Sequence, residues 1–316
     1  MMDTFTHAIV GLGVGALSGQ PLSPYNPIYC ATVVGAVIPD LDVVTLLQGE
    51  YALIKHHRGP THSIGGLLLL SAAVAGIIYV DFGLSPLPYF FWAWGGALSH
   101  GLLDYLNSYG IQVWWPFHRK RYAGNLLMFF DPILFMLFIP VLVNYRHPFK
   151  TALLAFTGVA LHLFLRWKMR LQAAHFLRNK YKPQTENKGR LALMPALNGI
   201  LRWDFMVEKQ HEIIVGTLDF FSQNISSCRH LNKIIASPLI NKALQTVPAR
   251  LFCQFTSYYF VTQWQKKGKY YVKLADLRFK YQSDFLYKLT FIFNEQHLLE
   301  EAYFCRQNNF VPLDIT

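Results

Sequence analysis

Residues 56–80 read His-His-Arg-Gly-Pro-Thr-His-Ser-Ile-Gly-Gly-Leu-Leu-Leu-Leu-Ser-Ala-Ala-Val-Ala-Gly-Ile-Ile-Tyr-Val, three histidines and an arginine set directly against an apolar run of membrane-helix character. Just upstream, Pro39-Asp40-Leu41-Asp42 closes another apolar run. Imidazoles and carboxylates crowded at the ends of membrane helices are costly to keep unless they bind something. A divalent metal binds both ligand types at once.

Outward from this stretch, long apolar runs fill the first half of the 316-residue chain: about 64–80, 88–106, 126–143 and 151–167. Each approaches the roughly 20 apolar residues that a bilayer requires. Two shorter runs, 8–17 and 28–38, are joined by the turn-rich Gly-Gln-Pro-Leu-Ser-Pro-Tyr-Asn-Pro at 19–27 and read as a helical hairpin that spans or dips into the bilayer. The fold class expected is therefore an α-helical polytopic membrane bundle of about four full spans plus the short N-terminal hairpin, six helices in all, followed by a small α+β cytoplasmic domain. The domains expected are 1–167, a membrane-embedded metal-site domain; 168–190, a basic interfacial helix and linker; and 191–316, the cytoplasmic domain. In the last, 201–207, 212–218, 252–264, 270–277 and 287–293 alternate like strands, Lys-Lys-Gly-Lys at 266–269 reads as a hairpin turn, and a helix is expected over 229–246.

Composition fits this division. Hydrophobic residues make up 53% of the chain and charged residues 15%, and the net charge of +11 is spread beside apolar segments rather than gathered in one tract. That favours attraction to a membrane surface, and no nucleic acid partner is expected. Cys30, Cys228, Cys253 and Cys305 are far apart without Cys-x-x-Cys, which argues against a disulfide framework or thiolate zinc site. Met1 to Thr6 lacks a basic stretch, so no cleaved leader is expected. Counting crossings collects Lys55, Arg58, Arg119, Lys120, Arg121, Lys168 and Arg170 on one face and only Arg146 and Lys150 on the other. The positive-inside rule makes the first face cytoplasmic, with both termini there, in a multi-pass membrane protein.

The same count brings His7, Asp40, Asp42, His56, His57, His62, His100, Asp104, His118 and Asp131 to that face. His100 and Asp104, four apart, share one side of a helix and can hold one ion, although a histidine hydrogen-bonded to a carboxylate is the plainer reading of the pair alone. Asp40 and Asp42 can cap a turn or ligate ions. Gly59-Pro60 makes a tight turn that can bring His57 and His62 together. Arg58 supplies a fixed cation suited to a phosphate. Thr61 and Ser63 read as helix caps, Asp131-Pro132 as ordinary helix-start chemistry, and His118 as interfacial. His147, His162, His175, His211, His230 and His297 read as structural or solvated.

Met-Asp-Thr-Phe-Thr-His at 2–7, Pro-Asp-Leu-Asp at 39–42, His-His-Arg-Gly-Pro-Thr-His-Ser at 56–63 and Ser-His-Gly-Leu-Leu-Asp at 99–104 resemble the YdjM-type family of predicted membrane-bound metal-dependent hydrolases. Ala-Asp-Leu-Arg-Phe at 275–279 resembles a stretch in the soluble tails of such proteins. More distantly, Thr-His near the N-terminus with a His-x-x-x-Asp helix is similar to the zinc phospholipase C and P1 nuclease group, which hydrolyse phosphoesters at multinuclear zinc sites. The resemblance implies hydrolysis and a place in the bacterial inner membrane. A divalent metal, zinc or else manganese, held by some of His7, Asp40, His57, His62, His100 and Asp104 would activate water. Asp40 or Asp42 would ligate a second metal or act as general base, Arg58 would bind substrate charge, and the substrate would be a lipid or phosphoester at the bilayer. A rival expectation is a non-enzymatic membrane protein whose polar cluster ties helix ends together and whose soluble domain binds a regulatory partner.

Overall fold

Asp3 opens the first helix, its carboxylate accepting from the Thr6 amide and hydroxyl, which starts α1 (Thr4–Ala16). The computed structural model describes residues 3–314 except 50, 53, 55, 56, 145, 182–188, 198, 235, 236, 282 and 283. The expected linker and His56 thus lie largely or wholly outside the described residues. Asn26 caps α2 (Pro27–Val37), with Pro27 in the first turn, where a missing amide costs nothing. Pro39 does not end this arm: the chain runs on as 3-10 helix over Ile38–Gln48. A one-turn 3-10 segment, Pro60–His62, leads into α3 (Ile64–Phe82), capped by the Ser63 hydroxyl and closed by Gly83 at a left-handed φ of 63°. Then come α4 (Pro86–Leu106), α5 (Pro132–Val143) and α6 (Pro148–Tyr181).

Two elements differ from expectation. The apolar run 126–143 is not one helix: the Leu126 and Leu127 amides donate to the Leu106 carbonyl, which holds them in a loop, and helix begins only after Asp131 has capped α5. The polar change at residue 167 does not break α6, which is continuous for 34 residues because lysine and arginine are good helix formers. Among the described residues, three stretches are long and apolar enough to cross a membrane by length and composition: Pro27–Leu47, Ile64–Phe82 and Pro148–Tyr181.

The contact between α2 and α4 rests on glycine. A Cβ on Gly35 would meet the Ala93 carbonyl oxygen at 2.2 Å, and one on Gly96 would meet the Thr32 carbonyl oxygen at 2.1 Å. Backbone therefore lies on backbone, and the C-terminal end of α2 is pressed against the turn of α4 that carries His100.

The chain divides into two compact units, Met1–Thr45 with His56–Met169 and Leu46–Lys55 with Arg170–Thr316. The second unit is an α/β domain with two main sheets. β1 (Arg190–Pro195), β2 (Arg202–Glu208), β3 (Glu212–Asp219) and β4 (Ile225–Asn232) form an antiparallel meander. After α7 (Pro238–Gln245) and α8 (Val247–Phe255) come β5 (Tyr259–Lys266), β6 (Lys269–Asp276), the small β7 (Lys280–Tyr281) and β8 (Asp284–Phe285) pair, β9 (Tyr287–Phe293), β10 (Leu299–Arg306) and β11 (Asn309–Pro312). The second sheet has the order β11-β10-β9-β6-β5, all antiparallel. Met194, Met206, Ile213 and Val215 of the first sheet pack against Phe260, Ala275, Leu277 and Phe285.

The helix expected over 229–246 is strand as far as Asn232, and helix starts only where Ser237 caps Pro238. The strand expected over 252–264 begins as the end of α8, because Pro248, Ala249, Phe252 and Phe255 form a buried helical stripe that a short window mistakes for alternation. The β5–β6 turn is as expected, with Lys267 and Gly268 both at positive φ (51° and 74°).

Candidate metal centre

Four elements of the first unit converge on one polar core. α1 supplies His7, the 3-10 segment after α2 supplies Asp40 and Asp42, the turn before α3 supplies His57, Arg58 and His62, and α4 supplies His100 and Asp104. All eight side chains are buried, and His7, His100 and Asp104 are at 0% exposure. One ligand atom each from Asp40, His62, His100 and Asp104 lies within 4.8 Å of the others, and the same holds for Asp40, Asp42 and His57.

Hydrogen-bond partners fix the ring tautomers. His100 Nδ1 lies 2.7 Å from the Ala36 carbonyl, which only accepts, so Nδ1 carries the proton and Nε2 the lone pair. The Thr61 hydroxyl donates to Asp42 at 2.8 Å and so accepts from His62 Nδ1 at 2.9 Å, which leaves His62 Nε2 bare as well. These two Nε2 atoms face each other at 2.9 Å. With both rings neutral, two lone pairs meet, an arrangement that either a proton shared between them or a metal ion in their place relieves. His57 follows the same rule: Nδ1 donates to Asp42, and Nε2 has no partner. A second group that fixes the ring and leaves the other nitrogen free is how proteins prepare histidine for metal.

The remaining atoms tell the same story. Both ring nitrogens of His7, both oxygens of Asp40 and Asp104 Oδ2 are buried without a hydrogen-bond partner. His7 stacks on His100 at 3.8 Å between centroids, with its Nε2 3.5 Å from Asp104. Orphaning a buried polar group costs about 1–3 kcal/mol, a cost that a bound cation would offset. Charge agrees: with every histidine neutral, as a metal ligand must be, three aspartates face one arginine, which leaves two formal negative charges that a divalent cation would balance. The N/O donor set, with no cysteine among the eight, suits zinc or manganese. The cluster can hold a metal ion.

Arg58 is held at φ 61°, in the left-handed region, by its surroundings. Its amide donates to Asp42, its carbonyl accepts from Gln112, and its Nη2 donates to Asp104 at 2.5 Å. Nε and Nη1 have no partner, and the guanidinium lies over the Tyr109 ring at 5.4 Å.

Of the other residues the sequence brought to this face, His118 is exposed, and Asp131 caps α5 while pairing with His162 at 3.0 Å, a tie between α5 and α6 apart from the cluster. Ser63 is the cap expected, whereas Thr61 is not: its hydroxyl serves Asp42 and His62. Sequence reasoning also missed Tyr109 and Arg121, whose Nη2 donates to the His57 carbonyl. Both sit in a loop with no ligand spacing to mark them.

The sequence profile of the YdjM inner membrane protein family matches residues 2–173, more than half of the chain and all eight cluster residues. The chain belongs to that family. Beyond the YdjM region, residues 238–307 match the YfhP C-terminal alpha/beta plait domain, which takes in α7, α8 and most of the second sheet. A similar protein from Bacillus subtilis (strain 168), named Uncharacterized protein YfhP, is 25% identical over 292 residues, covering 88% of this chain and 87% of that one. No solved structure matches.

Proposed function

We propose that this YdjM-family protein is a membrane-bound metal-dependent hydrolase that cleaves a phosphoester or lipid-like amphiphile at the cytoplasmic face of the inner membrane. The observation that carries the reading is the set of buried imidazole and carboxylate atoms converging within 4.8 Å, among which both oxygens of Asp40 and Asp104 Oδ2 have no hydrogen-bond partner. His62, His100, Asp104 and Asp40, with His7 stacked beside them, would hold the ion. The chemistry a divalent ion would supply there is a water of lowered pKa and a polarised scissile group. Asp42 already accepts from His57, Thr61 and the Arg58 amide, so its part is to orient. Asp40, which could ligate through one oxygen and has no hydrogen-bond partner on the other, is the better proton acceptor. The spare Nε and Nη1 donors of Arg58 would bind an anionic oxygen of the substrate.

The complete burial of His7, His100 and Asp104 supports a second reading, a structural metal that ties α1, α4 and the turn before α3 together. One experiment separates the two. Under the hydrolase reading, Asp40→Ala and His100→Ala abolish turnover of a panel of phosphoesters and phospholipids, while the variants stay folded in detergent. Lowered melting temperature, with no wild-type turnover to lose, selects the structural reading.

A further inference from the structure

Between Asp104 and Asp131 the chain has no acidic residue, and in its middle runs Trp114-Trp115-Pro116-Phe117-His118-Arg119-Lys120. All seven are exposed, Trp114 by 52% and Phe117 by 86%. Large aromatic side chains left open to solvent beside exposed basic residues are unusual for a loop that only connects helices. Tryptophan with arginine and lysine is the composition found where a protein meets lipid headgroups.

The backbone fixes the depth of this loop. The Ile64 amide donates to the Val113 carbonyl at 3.1 Å, and Ile64 is the first residue of a helix long and apolar enough to span a membrane. The loop is thus clipped to the end of a candidate span, at the level where hydrocarbon gives way to water. It is clipped to the candidate metal centre too: Gln112 donates to the Arg58 carbonyl, and Arg121 to the His57 carbonyl.

We propose that residues 111–122 form a docking site for anionic phospholipid headgroups, with Trp114, Trp115 and Phe117 seated among the upper acyl carbons and Arg119 and Lys120 on the phosphates. The proposal does not depend on the cluster being catalytic. Charge complementarity selects the partner, since a zwitterionic headgroup offers no net charge to two exposed cations.

The test uses the full chain. Detergent-purified protein is titrated with phosphatidylglycerol or phosphatidylcholine and the lipids retained are counted by native mass spectrometry. The same protein in nanodiscs is examined for quenching of tryptophan emission by lipids brominated near the headgroup. The expected results are preferential retention of phosphatidylglycerol, weakened about tenfold in Arg119→Gln/Lys120→Gln; retention of the preference in the charge-preserving Arg119→Lys/Lys120→Arg; and loss of a share of the quenching in Trp114→Phe/Trp115→Phe. Arg146→Gln/Lys150→Gln, at exposed cations elsewhere on the chain, serves as the control. Equal retention of the two lipids overturns the proposal, as does an equal loss in the control, or quenching unchanged by removal of the two tryptophans. Metal content is read on the same samples, so an empty metal centre and an idle loop are told apart.

Discussion

Two buried aspartates in this molecule have opposite surroundings. In the C-terminal unit, Asp276 is at 0% exposure and every oxygen is used: Arg278 donates through Nε at 3.0 Å and Nη2 at 2.8 Å, the Thr256 hydroxyl at 2.9 Å, and the Arg278 amide at 3.1 Å. Phe255 and Phe279 flank the guanidinium. In the N-terminal unit, Asp40 is also buried, yet neither of its oxygens has a hydrogen-bond partner, and His7 beside it has none either. Burial alone does not distinguish a structural charge from a ligand. Satisfaction does: a closed pair has nothing left to offer, whereas an open cluster keeps atoms that could hold a cation.

The largest effect expected from this contrast is on metal content. Wild-type protein purified in detergent should carry at least one equivalent of zinc or manganese by elemental analysis. His100→Ala/Asp104→Ala should lose it, with affinity down by more than about a thousandfold, since removing two direct ligands exceeds the 10–100-fold effect of their supporting groups. A folded wild type that neither carries nor takes up metal would erase the distinction between the two regions.

Arg278→Ala makes the reciprocal test. Leaving Asp276 buried and unpaired should cost about 3–5 kcal/mol, read as a shift in the denaturant midpoint of the β-sheet circular dichroism signal. Metal content should not change. A loss of metal in this variant would show that the two units are not energetically separate.

These two regions were not equally legible in the sequence. His100 and Asp104 announce themselves by helical spacing, and His57, His62, Asp40 and Asp42 by lying at the ends of apolar runs, where charged groups are costly. Thr61 does not, because a hydroxyl just before a helix reads as a cap, and only the hydrogen bond from Gly66 to Ser63 shows that the next residue but one holds that post. The tautomer-fixing carbonyl of Ala36 is beyond sequence reasoning altogether, since it depends on the glycine contacts that press α2 onto α4. Asp276 and Arg278 are visible as residues but not as a pair, because two residues apart in a strand-like run places them nominally on one face without saying that the chain turns there. Likewise the apolar stripe of α8 imitates a strand, and the hydrophobicity of 126–131 hides a loop held by Leu106.

Thr61→Ala sharpens the contrast at single-atom resolution. It removes the acceptor for His62 Nδ1 and one of the donors to Asp42 while leaving every proposed ligand in place. Metal affinity, measured by competition with a chromophoric chelator, should fall about 10–100-fold. Thr61→Ser, which keeps the hydroxyl, should restore most of it. If both variants bind like wild type, the His62 tautomer is not set from this side and Thr61 only packs.

The smallest effect is a slope with pH, and its sign separates the regions again. Burial disfavours the His62 imidazolium, but the carboxylates of Asp104, Asp40 and Asp42 around it outweigh that cost and push its pKa up to about 10, from an ordinary 6.5. A proton therefore occupies His62 at neutral pH when no metal is bound, and metal must displace it. Apparent metal affinity should rise about tenfold per pH unit between pH 7 and 9, with one proton released to the buffer for each ion taken up at this ring. Stability of the metal-free protein should run the other way. A pKa raised on folding contributes stability that is fully present below pH 6.5 and fades as pH climbs toward 10, so chelator-treated protein should soften across that window while metal-loaded protein firms. Removing metal should leave the pH dependence of the C-terminal unit unchanged. Parallel pH dependence with and without metal would mean that the proton and the ion do not compete for His62, and the comparison between an open and a closed cluster would then have to rest on Asp40 and His7 alone.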